Sequence, residues 1–140
     1  MTELDDIYQF LAEELGVPKE NLHESTDIYD EFGMEGDDCF GFEEYFSEKF
    51  CVNMEGFLWY FHHGEEGMFS IGALFFKPPY GRVVRIPLTP KMLRDSAVKG
   101  SWAINYPMHT IPNKRYDLTI NKISILAFAV IVLCIWLIDL

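Results

Sequence analysis

The sequence predicts a small, mainly α-helical bundle followed by one C-terminal transmembrane helix. Three observations predict it. Apolar residues recur at helical spacing in two stretches near the N-terminus, the pattern Thr89-Pro90 followed by Gly100 frames another helix, and Ile123 to Ile138 is an uncharged run, apolar except for Ser124.

The chain has 140 residues, enough for one small domain with an appendage, and 49% of them are hydrophobic. A packed core is therefore expected without help from disulfides. Cys39, Cys51 and Cys134 have no metal-ligand spacing, and their odd number fits a reducing compartment.

Taking the elements in order, Leu4, Ile7, Tyr8, Leu11 and Leu15 share one helical face, and Gly16 stops the helix. Glu3, Asp5 and Asp6 suit the positive end of its dipole. A long connection follows, marked by Pro18, Asn21, Ser25, Thr26 and Asp27, with Leu22, Ile28, Tyr29 and Phe32 to pin it to the core. The next helix is predicted over residues 37–50. Cys39, Phe42, Tyr45, Phe46 and Phe50 form its buried arc, while Phe40 lies outside that arc among Glu43, Glu44 and Ser47. The stretch "VNMEGFLWYF" then reads as a short aromatic turn or helix closing the bundle.

Residues 62–86 carry apolar runs broken by Pro78, Pro79 and Gly81, which fit a short β-hairpin insertion or a packed loop. A functional alternative is an aromatic and basic patch resting on a membrane surface. Thr89 is the expected N-cap, Pro90 the first helical residue and Gly100 the stop; Leu93 and Ala97 share a face, with Met92 and Trp102 nearby. On this reading residues 1–103 form the folded domain, 104–117 a linker rich in turn residues, and 118–140 the anchor.

The Ile123–Ile138 run would span about 24 Å as a helix, against roughly 30 Å of hydrocarbon. Extending back to Leu118 closes the gap if Lys122 snorkels to the headgroups. Lys114, Arg115 and Lys122 precede the run, which places the N-terminal domain in the cytoplasm as a single-pass, tail-anchored protein. The acidic N-terminus lacks the basic region of a signal peptide. A buried core helix or an oligomer seam is the soluble alternative, disfavoured because the run is apolar on every face.

Charge is divided along the chain. Up to Glu66 there are 19 acidic residues against two basic ones, a net of −17; from Gly67 onward nine basic residues face three acidic ones, a net of +6. Such a division implies internal pairing or two different neighbours. The acidic half argues against nucleic acid, which needs clustered cations, and suits a basic protein surface.

"DIYDEFGMEGDDCFGFEEYFSEKFCV", together with "GDD", "FSEKFCVNMEGFLWYF" and "PLTPKMLRDSAVKGSW", resembles a bacterial acyl-carrier-like group, domain-of-unknown-function family 1493. The likeness covers residues 4–103 and implies a small acyl-carrier-like bundle at the bacterial inner membrane. In true carriers a phosphopantetheine hangs from a serine in an Asp-Ser-Leu motif opening the second helix. Counted back from Phe50 without gaps, that position is Gly36, between Glu35 and Asp37. Glycine has no hydroxyl, so no cofactor is expected there. Asp95-Ser96-Ala97 echoes the motif late in another helix, and Ser47 sits mid-helix.

The resemblance also implies a docking face. Carriers offer an acidic second helix with an exposed apolar residue to basic patches on their partners. Phe40 matches the apolar position, and Glu35, Asp38, Glu43, Glu44 and Glu48 would supply the negative field. Phe40 could equally pack on the 62–86 segment, and the acids could be a solvated face. His62-His63 with Glu65-Glu66 lacks any metal motif and reads as an exposed loop end; no metal, no catalytic constellation and no enzyme is expected. The expected function is a membrane-tethered interaction module. The alternatives are a genuine carrier modified at an unexpected serine and a small regulatory subunit of a membrane complex.

Overall fold

A computed structural model describes residues 2–66 and 70–138. Among the described residues six α-helices run in order: α1 (Leu4–Leu15), α2 (Ile28–Glu31), α3 (Asp37–Phe50), α4 (Ile71–Phe75), α5 (Pro90–Lys99) and α6 (Tyr116–Ile138). No β-strand occurs among them; the one ladder contact is a parallel bridge between Asn53 and Ser101. The fold is mainly α, with one helix long and apolar enough to cross a membrane.

The chain divides into two compact units, Met1–Glu66 with Val84–Met108, and Gly67–Val83 with His109–Leu140. This differs from a division at residue 103. Tyr106 belongs to the first unit because its hydroxyl is a buried hub, accepting from Leu58 N at 3.2 Å and Trp102 Nε1 at 2.9 Å.

In the first unit, α1 starts where the Glu3 amide donates to Asp6 Oδ2 at 2.7 Å and stops at Gly16, whose φ of 64° suits a residue without Cβ. Ile7, Phe10 and Leu11 are its buried residues. Phe10, absent from the expected stripe, is the centre of the core. Its ring lies 5.5 Å from Phe42, 6.1 Å from Phe46 and 5.4 Å from Phe50, all on α3. Leu22, Ile28 and Tyr29 pin the long connection as expected, and Ile28 N donates to Leu88 O at 2.9 Å.

Helix α3 matches its predicted limits, and Cys39, Phe42 and Phe46 are buried. Tyr45 is not: it is 42% exposed. It sits at the rim of the arc, where the Lys49 ammonium covers its ring at 5.8 Å and that of Phe10 at 5.1 Å. Helix α5 is capped by Thr89 Oγ1, which accepts from Met92 N at 3.3 Å, and ends at Gly100. It buries Leu93 and Ser96.

The second unit replaces the expected hairpin with α4 and a 3-10 turn at Pro79–Arg82. Ser70 Oγ accepts from Ala73 N at 3.1 Å and starts the helix. Pro78 and Pro79 lack the amide a ladder would need, which ends it. Helix α6 has 23 residues, so it is about 34 Å long. From Ile123 to Ile138 its large apolar side chains are about half or more exposed.

Removing the Phe10 ring is predicted to be the costliest single truncation in the first unit. Phe10→Ala should lower its stability by about 3–5 kcal/mol, read as a fall in the denaturation midpoint followed by near-ultraviolet circular dichroism of the full chain in detergent.

Candidate functional site

The predicted docking residues lie at the N-terminal end and outer face of α3. Glu35, Asp38, Glu44 and Glu48 are exposed, and none has a basic partner within 4.0 Å among the described residues. Their charge is therefore not neutralised locally. Phe40 is 43% exposed and does both things the sequence allowed. One edge packs on Trp59 and His63, at 6.0 and 5.1 Å between ring centroids, and the remainder faces solvent. Beside it Phe40, Glu43, Glu44, Ser47, Met54 and Phe57 line an open groove of about 250 Å³.

Glu43 does not join the exposed acids. Its side chain is only 11% exposed and points inward, where Oε1 accepts from Tyr29 Oη at 2.7 Å. His63 Nε2 lies 3.2 Å from the same oxygen, without the alignment of a hydrogen bond. Burial first, and Glu43 second, push the Tyr29 phenol well above its ordinary range. Glu43 is one turn from Cys39 and Phe46, at the edge of the apolar arc, and Tyr29 supplies the buried donor that makes an inward carboxylate affordable.

Gly36, which the resemblance matches to the attachment serine, is closed to a side chain in two ways. Gly36 has φ 53° and ψ −120°, a conformation that disfavours any residue with a Cβ. A Cβ built there would also lie 2.8 Å from Glu66 Cβ and run into Glu66 Cγ. Neither of the other two serines considered offers a free hydroxyl. Ser96 is fully buried and its Oγ accepts from Ala103 N at 3.2 Å; Ser47 donates its hydroxyl to Val52 O at 2.8 Å.

The His62-His63 pair is not an exposed loop end: both rings are buried. His62 donates from Nδ1 to Ile86 O at 2.9 Å and accepts from Tyr106 Oη at Nε2, 2.8 Å away. That pairing requires the neutral imidazole, and burial lowers its pKa to about 4. Phe57 stacks on this ring at 5.0 Å. No group of three metal-capable side chains comes together among the described residues. The Cys39 thiol is buried and pushed up to about 12 by that burial and by Glu43, which leaves it unreactive.

The sequence reading missed Tyr29, Trp59, His63 and Glu66 as the residues that shape this face. The available signal was the run "FLWYFHH", in which two histidines follow four aromatics too closely to be an open loop. Arg85 contributes as well, forming a two-pronged pair with Asp27 at 2.5 and 2.9 Å that ties the 84–108 segment to the start of α2.

The His62 shift fixes a pH dependence. Its folded pKa is depressed, so its contribution is complete above about 6.5 and is lost as pH falls towards 4. Between pH 7 and pH 4 this site should cost about 3 kcal/mol of stability. His62→Phe should be less stable at pH 7 yet show a correspondingly flatter decline, measured by denaturant titration at both pH values.

No family model matches the chain, no curated protein is detectably similar to it, and no solved structure matches it.

Proposed function

We propose that this chain is a membrane-tethered, acyl-carrier-like interaction module that carries no phosphopantetheine. The observation that carries the reading is the pairing of a closed attachment position with an intact acidic face. Gly36 is held at positive φ beneath Glu66, while Glu35, Asp38, Glu44 and Glu48 are exposed on the helix that carries the half-exposed ring of Phe40 and on its N-terminal flank. The helix order also supports a carrier-like bundle: α1, a long pinned connection, α3, a 3-10 turn at Trp59–Phe61 and α5.

The partner is a protein with a basic patch around an apolar side chain. The unpaired acids speed encounter with such a surface, and the Phe40 groove gives it a small apolar anchor. Glu43 is excluded from this role because Tyr29 holds it. Helix α6 crosses the bilayer with the first unit on the cytoplasmic side, where Lys114, Arg115 and Lys122 flank the span. The module is thus a docking site confined to a membrane surface, and no enzymatic step is assigned to it.

The test compares partners recovered with gently solubilised wild-type chain and with Phe40→Lys/Glu44→Lys, using Glu44→Lys alone as a variant at an exposed position that leaves the Phe40 ring in place. One partner should be lost from the double variant and weakened in the single one, with its purified affinity falling about 30-fold or more. Unchanged partners and affinities in a folded double variant would remove α3 as the docking face.

A further inference from the structure

The second unit holds a feature that anchoring alone does not require. Helix α4 is pressed against the first two turns of α6. A Cβ on Gly72 would lie 2.6 Å from the Asp117 carbonyl carbon and run into its oxygen, so only glycine permits the approach. Asn121 Oδ1 accepts from Gly72 N at 2.8 Å, and its Nδ2 donates to Ser70 Oγ at 2.9 Å. An amide side chain near the start of an apolar helix is thereby used to fasten a second, five-residue helix beside it.

The side chains that α4 turns away from α6 are apolar and bare. Leu74 is 73% exposed and Phe75 70%, figures unusual for a short helix surrounded by water. Phe76 packs on Tyr116 at 5.5 Å, setting two aromatic rings at the level where α6 begins. A mainly apolar groove lined by Ile71, Ile125 and Phe128, with Asn121 and Ser124, runs along α6.

Cations gather beside the aromatic pair of Phe76 and Tyr116. Lys77, Arg82, Lys114 and Arg115 line one cleft with a single carboxylate, Asp117. Asp117 is already paired with Arg115 at 2.6 Å. Lys77, Arg82 and Lys114 have no carboxylate within 4.0 Å among the described residues, and Arg82 Nε is fixed to Lys77 O at 2.8 Å. Apolar side chains fastened at the head of a span, with unneutralised cations next to them, match the layering of a bilayer boundary: acyl chains, then aromatic belt, then phosphate.

We propose that residues 70–83, held on the head of α6, form a lipid-surface dock that sinks Leu74 and Phe75 among the outermost acyl segments and binds the phosphates of anionic lipids with Lys77, Arg82 and Lys114. The proposal rests on α6 spanning a bilayer and adds to it a lipid preference. Each cation near an anionic surface is worth enough that removing three should abolish the preference. The charge division then has a reason: the basic residues of the second unit meet lipid, and the acidic surface of the first stays free for a protein.

The test uses the full chain reconstituted in vesicles of equal parts phosphatidylglycerol and phosphatidylcholine. Spin-labelled versions of each lipid report which is held at the protein surface, and a benzophenone amino acid replacing Phe75 reports what touches α4. Wild type should favour phosphatidylglycerol by roughly tenfold, Lys77→Gln/Arg82→Gln/Lys114→Gln should hold both lipids alike, and position 75 should capture lipid. Resistance to alkaline extraction, expected of both chains, reports the span independently. If the chains resist extraction but wild type shows no preference, or the triple variant keeps it, or position 75 captures no lipid, the dock is wrong and the anchor stands. If wild type is extracted, the anchor fails and the dock with it.

Discussion

The Glu43 carboxylate, held inside the first unit, is the contact on which the rest of that unit's surface depends. It accepts from Tyr29 Oη at 2.7 Å and faces His63 Nε2 at 3.2 Å, joining three segments distant in sequence. Tyr29 fixes the long connection before α3, and His63 fixes the chain that runs past Trp59 to Glu66. With that chain in place, Trp59 and His63 support Phe40 from one side and Glu66 covers Gly36. One inward acid thus bears on both the setting of Phe40 and the cover over Gly36. A charge-assisted hydrogen bond of this kind contributes about 1.5–3 kcal/mol, while an unpaired buried carboxylate would cost more than that.

The two units solve different solvation problems. The first buries aromatic rings around Phe10 and links several of its internal polar groups in series, as in the chain from Ile86 O through His62 and Tyr106 to Trp102 Nε1. The second leaves its apolar side chains exposed along α6 and α4 and spends its hydrogen bonds on fastening those helices to each other through Ser70, Gly72 and Asn121. A surface of that kind is favoured beside another apolar medium, as expected of a helix long and apolar enough to cross a membrane. The acidic and basic halves of the chain follow roughly the same division.

Much of the helical framework was legible in the sequence because its signals are local. Gly16 and Gly100 end α1 and α5, Thr89-Pro90 opens α5, and the apolar period of Cys39, Phe42 and Phe46 gives α3 its limits. What was not legible depends on residues far apart. Glu43 and Tyr45 lie on opposite edges of one helical arc, and the partner each meets decides which turns inward: Tyr29 Oη for Glu43, the Lys49 ammonium for Tyr45. The histidine pair looked polar, but Ile86, Tyr106 and Phe57 supply an interior for His62. Within residues 62–86, where a hairpin or packed loop was expected, Ile71–Phe75 is a helix instead, and Asn121, 49 residues beyond Gly72, accepts the Gly72 amide near its start. Within the candidate site, Gly36 is reached only by a count along the resemblance, and the close approach of Glu66 to it depends on a residue too distant along the chain to be read there.

The central claim is that the carrier-like shape persists without the cargo. Intact-mass spectrometry tests it most directly, on the full chain incubated with coenzyme A and a broadly specific phosphopantetheinyl transferase, beside an authentic acyl carrier protein treated identically. The account predicts an unchanged mass for the chain while the control gains its phosphopantetheine. A gain of one phosphopantetheine by the wild-type chain would contradict it.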